Sequence, residues 1–172
     1  MSVKKILTEP NKLLRQVSKI VEKVGDEERV LMDDMLDTMY DAPGIGLAAI
    51  QIGIPKRIIV MDISRDENKK EPRYFVNPII KNKNEEKAKY EEGCLSVPDQ
   101  FAEIERPNTC EVEYLDYNGT KQILKAEGLL ATCIQHEIDH LEGILFIDYL
   151  SKLKKSMIIK KLSKIKVSRK IF

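Results

Sequence analysis

The hydrophobic pattern changes period several times along the chain, and each change marks an element. Leu31, Met35, Thr38 and Met39 fall on one helical stripe. A helix is therefore expected from an N-cap at Asp26 to just before Pro43, with one face on a core. Ahead of it, Glu9-Pro10-Asn11 reads as a turn leading into a short helical pattern through Leu13, Leu14 and Val17. The β-branched run from Arg57 to Ile63 predicts a buried strand, and Ser64 to Arg73 a charged loop. Tyr74-Phe75-Val76 and Ile79-Ile80 are expected as short strands broken by Asn77-Pro78, with Lys81 to Lys89 a solvated turn region. Cys110, Val112 and Tyr114 alternate with polar residues, and Gln122-Ile123-Leu124 returns after a hairpin turn at residues 116–120. Leu129, Leu130, Cys133, Ile134, Ile138 and Leu141 predict a buried helix, preceded by Gly128 and ended by Gly143. Ile144 to Ile147 is expected as extended chain. From about Tyr149, Leu150, Leu153, Met157, Ile158, Leu162 and Ile165 form an apolar stripe among lysines. Short strands around two or three helices, without repeats, give an α+β class.

Composition changes this picture little. The 172 residues, 42% hydrophobic and 33% charged, suit one compact domain. We divide it into a body, residues 1–150, and a basic C-terminal helix and tail, residues 151–172, belonging to the same domain. No apolar run approaches the roughly 18 residues of a membrane span, and the first residues lack the features of a secretory or organelle leader. Three widely spaced cysteines do not make a disulfide framework. The expectation is a cytosolic chain without a membrane partner. Charge adds one feature: the +1 net value hides nine Lys/Arg and no acid after residue 150, which leaves an acidic body.

Candidate chemistry lies in the buried helix, at Gln135-His136-Glu137-Ile138-Asp139-His140. Four residues turn a helix by about 400° and advance it about 6 Å, so both imidazoles project from one face and can reach one metal ion. Glu137 leaves the same turn sideways, within reach of a water on that ion. Two histidines on a polar helix face would be the plain alternative, but apolar flanks make them a buried pair that needs partners. A hydrolytic zinc site takes three protein ligands and keeps a position for water. The candidate third ligand is Cys94 in Glu92-Gly93-Cys94-Leu95-Ser96; a small buried hydrophobe is its alternative role. Gly44-Ile45-Gly46-Leu47-Ala48-Ala49-Ile50-Gln51 lacks the Lys-Ser/Thr of a phosphate loop. By itself it reads as a tight turn before a strand, closed by a polar Gln51 that is either exposed or placed on purpose.

These three segments, in order and spacing, resemble the signature motifs of the peptide deformylase family, and the resemblance runs from Ile6 into the C-terminal helix. It implies antiparallel β-sheets around a central helix carrying the two histidines. It implies Cys94, His136 and His140 as metal ligands, with water in the fourth place, and Glu137 as general acid/base. The Gln51 amide and the Leu95 backbone N–H become oxyanion donors. Backbone pairing of the substrate falls to Ile45, Gly46 and Gly93, and a methionine pocket to Ile45, Glu92, Thr132 and Cys133. The implied cofactor is one divalent ion, natively Fe2+, with Zn2+ or Ni2+ as isolated. The implied substrate is a nascent protein beginning with N-formylmethionine. Ribosomal RNA near the tunnel exit is a further implied partner of the basic C-terminal helix, whose alternative is a docked helix with solvated lysines. One departure is Phe101, where some bacterial deformylases carry arginine. The rival readings are a zinc endopeptidase, whose third ligand usually lies downstream of the second histidine, and a metal-stabilised ribosome-associated factor without catalysis.

Overall fold

In the computed structural model, which describes residues 2–64 and 66–171 (side chains through residue 164), the core is built on both faces of one sheet. Helix α1 (Asp26–Asp41) is followed by β1 (Gly46–Ala48), β2 (Ile58–Met61), β3 (Arg73–Lys83), β4 (Lys87–Cys94), β5 (Val97–Pro107), β6 (Thr109–Leu115), β7 (Lys121–Glu127), α2 (Gly128–Leu141) and α3 (Lys152–Ile171). Five strands pair antiparallel in the order β1-β2-β3-β6-β7, and β4-β5 form a separate hairpin sheet.

The pattern of β2 explains the layering. All four of its residues are buried, because Ile58 and Val60 pack under α1 while Ile59 and Met61 face α2. A strand covered on both faces has no polar side to alternate with. Met32, Met35 and Met39 supply the α1 layer, and Ile134, Ile138 and Leu141 the α2 layer. The third apolar cluster joins Val97 and Ile104 of the hairpin to Phe146, Ile147 and Leu162. Because α2 packs against strands of both sheets, it fixes the hairpin relative to the five-stranded sheet.

Several local expectations change. The pattern through Leu13, Leu14 and Val17 is a single 3-10 turn, Lys12–Arg15, that buries only Leu14. The cap of α1 is Gly25, not Asp26: the Gly25 N–H donates to Glu28 Oε1 at 2.9 Å, and Asp26 is already helical. Asn77-Pro78 does not break β3. Asn77, at φ 51°, forms a bulge, and its side-chain amide bonds to the Val21 backbone in both directions at 2.8 Å. Much of Lys81–Lys89 is strand, leaving a turn only at residues 84–86. Phe146–Tyr149 is a 3-10 turn instead of extended chain, since Asp148 accepts from the Leu145 N–H at 3.1 Å. In α3, Leu162 is buried with Ile158 and Ile159 beside it, while Leu153 and Met157 are exposed; Ile165 lies outside the described side chains. The helix thus docks through Ile158, Ile159 and Leu162, near its middle.

Gly143 closes α2 at φ 75° with the Arg15 carbonyl packed where a Cβ would stand. Only glycine meets both conditions. Gly143→Ala is expected to lower stability by more than about 1 kcal/mol, read as a fall in urea midpoint at unchanged m-value.

Candidate metal centre

The site is assembled from three segments whose local structure aims their side chains at one point. On α2, His136 and His140 stand one turn apart, with ring centroids 5.1 Å apart and planes at 70°. Cys94 ends β4, where the β4-β5 hairpin turns tightly and pairs Cys94 with Val97. Gln51 comes from a 3-10 turn, Ala49–Ile52, directly after β1. The Cys94 Sγ and one nitrogen of each imidazole all lie within 4.8 Å of one another, and Sγ is 3.3 Å from His140 Nε2. Tetrahedral bonding at about 2.3 Å to sulfur and about 2.0–2.1 Å to nitrogen places ligand atoms some 3.3–3.7 Å apart, so modest closure suffices.

The tautomer of His136 is set by its partner. His136 Nδ1 is 2.9 Å from Glu92 Oε1. Burial raises the Glu92 pKa, but hydrogen bonds from His136 and Arg106 outweigh it and hold the group below its ordinary value. As an ionised acceptor, Glu92 requires the proton on Nδ1, which leaves the Nε2 lone pair for a metal. Burial depresses His140 well below an ordinary histidine, so its ring is neutral and able to ligate.

Arg106 secures Glu92. Its Nε and Nη2 donate to the two carboxylate oxygens at 2.8 and 3.1 Å, and its Nη1 donates to Asp139 Oδ2 at 2.8 Å. Asp139 also accepts from the Tyr149 hydroxyl at 2.7 Å, and the guanidinium lies 4.9 Å from the Tyr149 ring centroid. The sequence pattern did not mark Arg106, Asp139 and Tyr149 as supports. The available signal was Asp139 itself, an acid inside an apolar helix that needs a cation.

Glu137 is 3% exposed, with Oε1 3.7 Å from His136 Nε2 and Oε2 buried without a hydrogen-bond partner. Burial raises its pKa to about 7. Such a carboxyl can both take and give a proton near neutrality. Gly46 permits this arrangement: a Cβ there would lie 3.1 Å from the Glu137 side chain and 3.2 Å from Cys133 Sγ.

Gln51 is 1% exposed, so of its two roles the buried one holds. Its Oε1 accepts from the Ala48 N–H at 2.9 Å, which orients Nε2 toward Ser96 Oγ at 3.0 Å and Cys94 Sγ at 3.7 Å. The N-terminal arm braces both groups, with Leu7 N–H on the Gln51 carbonyl at 2.7 Å and Glu9 N–H on the Ser96 carbonyl at 2.8 Å.

A cleft of ≈ 710 Å³ opens over this cluster between β1, the edge strand of the larger sheet, and β4. Ile45, Gly46, Gly93, Leu95, Thr132 and Cys133 line it. Glu92 lines it too, but its carboxylate is held by His136 and Arg106. Burial pushes the Cys133 thiol well up, so it stands in the wall as a neutral sulfur.

Comparison with known proteins points one way. The family described as polypeptide deformylase matches residues 3–156. The peptide deformylase of Pelagibacter ubique is 88% identical over 169 residues, 98% of each chain. The crystal structure of peptide deformylase from Ehrlichia chaffeensis superposes with a TM-score of 0.91 at 46% identity, covering 96% of this chain and 97% of that one. A second Ehrlichia chaffeensis structure, in complex with actinonin, gives 0.90 at 49%, covering 95% and 98%.

Proposed function

The chain belongs to the polypeptide deformylase family, and from that premise we propose how it removes the formyl group from the N-formylmethionine of newly made proteins. Cys94, His136 and His140 would hold one divalent ion. The fit rests on the donor set, one thiol and two imidazoles within reach of a common point, beside a Glu137 oxygen that lacks a partner. When bound, the ion supplies Lewis acidity, which gives a water nucleophile at neutral pH and polarises a carbonyl.

The protein's own groups do the rest. Ile45, Gly46 and Gly93 present backbone to an extended peptide from the two sides of the cleft, and Thr132 and Cys133 wall the methionine side chain. Gln51 Nε2 and the Leu95 N–H meet the charge that develops on the formyl oxygen, each such donor typically contributing about 3–4 kcal/mol. Glu137 takes the proton of the attacking water and delivers it to the departing amine, which leaves as a free amino terminus beside formate. The single observation that carries this reading is the convergence of Cys94 on the histidine pair with Glu137 alongside. Release of a free amino terminus from formyl-Met-Ala-Ser, with none from acetyl-Met-Ala-Ser, is the expected result; equal cleavage of both, or of neither, would sink it.

We assign Fe2+ as the native ion, with Zn2+ or Ni2+ acquired on isolation, since a thiolate with two imidazoles accepts all three. Anaerobic purification with metal analysis tests this. We place the protein in the cytoplasm; among the described residues no helix is long and apolar enough to cross a membrane.

We also infer ribosomal RNA as the partner of α3. Lys152, Lys154, Lys160, Lys161 and Lys164 are exposed on it, and phosphate binding is driven by counterion release. Deleting α3 would strip Leu162 from the core, so charge is the cleaner variable. Replacing Lys160, Lys161 and Lys164 by glutamate is expected to lower ribosome co-sedimentation at low salt. It should also flatten the salt dependence by about one unit of slope for each lysine that no longer meets a phosphate. Unchanged co-sedimentation would refute this partner.

A further inference from the structure

The mouth of the cleft carries apolar surface that the chemistry at the metal centre does not use. Phe101, on β5, is 65% exposed and Ile45, from the other side, 46% exposed, yet both line the same cleft. Phe101 is not a loose surface ring. A Cβ at position 93 would fall 2.6–2.7 Å from two of its ring atoms, so the ring rests on the bare Gly93 backbone, one residue from Cys94. It sits beside the strand edge along which a peptide would run out of the site. Away from the metal centre, the charged groups lining the cleft are mainly acidic: Asp41, Glu91 and Asp99 against Lys4.

We propose that Phe101 is a specificity-determining residue that favours formylmethionyl chains with an apolar side chain just downstream of the methionine. The proposal rests on the deformylase reading above. An exposed ring already ordered against Gly93 gains contact with a substrate side chain at little ordering cost, and apolar area leaving water is the driving term. The same ring offers nothing to a carboxylate, and the acids lining the cleft repel one. Discrimination therefore runs apolar, then small, then acidic. Because the contact exists equally before and during reaction, it acts through KM rather than kcat.

The test is a panel of amidated formyl-Met peptides carrying Leu, Ala or Asp at the second or third position. Wild type is expected to prefer Leu to Ala by about tenfold in kcat/KM at one of these positions, the size expected of apolar contact in a pocket. Phe101→Ala should bring that ratio to within about twofold while the penalty for Asp persists. Phe101→Leu should restore part of it. Equal Leu/Ala ratios in wild type and Phe101→Ala would overturn the proposal, as would a change confined to kcat. Absence of formate release from every peptide in wild type would instead overturn the activity on which it rests.

Discussion

Glu137→Ala should retain its metal and lose formate release by about 10²–10⁴-fold, the usual worth of a positioned acid/base. The two halves of this result separate because Glu137 stands outside the set of converging donors: it borders His136 without joining the Cys94 and imidazole cluster. Its Oε2 is buried and unpartnered, a costly condition that nothing in the packing requires. Truncation also opens space against Gly46, so Glu137→Gln is the better-shaped control. The amide keeps the volume but cannot carry the proton, and should fall as far as alanine. Metal content per chain and single-turnover formate release measure both halves. Loss of metal with either substitution, or activity within tenfold of wild type, would remove Glu137 from its assigned role.

The second large effect is on stability. Arg106 is 4% exposed and Glu92 6%, and they form a bidentate pair. Arg106→Met is expected to cost about 3–5 kcal/mol, because it strands a buried carboxylate while removing a charge. For a domain of this size that is a fall in melting temperature of roughly 6–20 °C. Combining it with Glu92→Leu should recover much of the loss, since an apolar pair avoids the desolvation of both ions. The double variant should still bind metal about 10–100-fold more weakly, because His136 Nδ1 has lost its acceptor. Thermal unfolding and metal retention on dialysis would thus diverge. If both recover together, Glu92 does not orient the ring.

The helix that carries the histidines was legible because two imidazoles one turn apart on an apolar helix must find a common partner or stay unsatisfied. The buried β2 was legible for a comparable reason, a short β-branched run bounded by charged and turn residues. The β4-β5 hairpin was not. Val97–Pro107 contains two prolines and several acids, and its inward positions, Val97, Ile104 and Arg106, include a cation. A buried arginine looks like a surface arginine until its carboxylate partner is found 14 residues away in sequence. The Asn77-Pro78 pair misled for a local reason: proline normally interrupts a ladder, but here the chain absorbs it as a bulge. Gln51 could be placed in the site only by resemblance, because its orientation depends on Ser96 and the Ala48 amide, partners that sequence spacing does not encode.

Among the described residues the two sheets share no hydrogen-bonded strand; Cys94 ends the hairpin strand β4, whereas the histidines stand on α2, which follows β7 of the larger sheet. Their registry is kept by the packing of α2, by the contacts of Glu92 with His136 and of Arg106 with Asp139, and by the arm through Leu7 and Glu9. A small outward swing of the hairpin would disable turnover while the five-stranded layer, its helices and its spectroscopic signal persist, so inactivation is expected at a lower temperature than melting when activity and circular dichroism are followed on the same ramp.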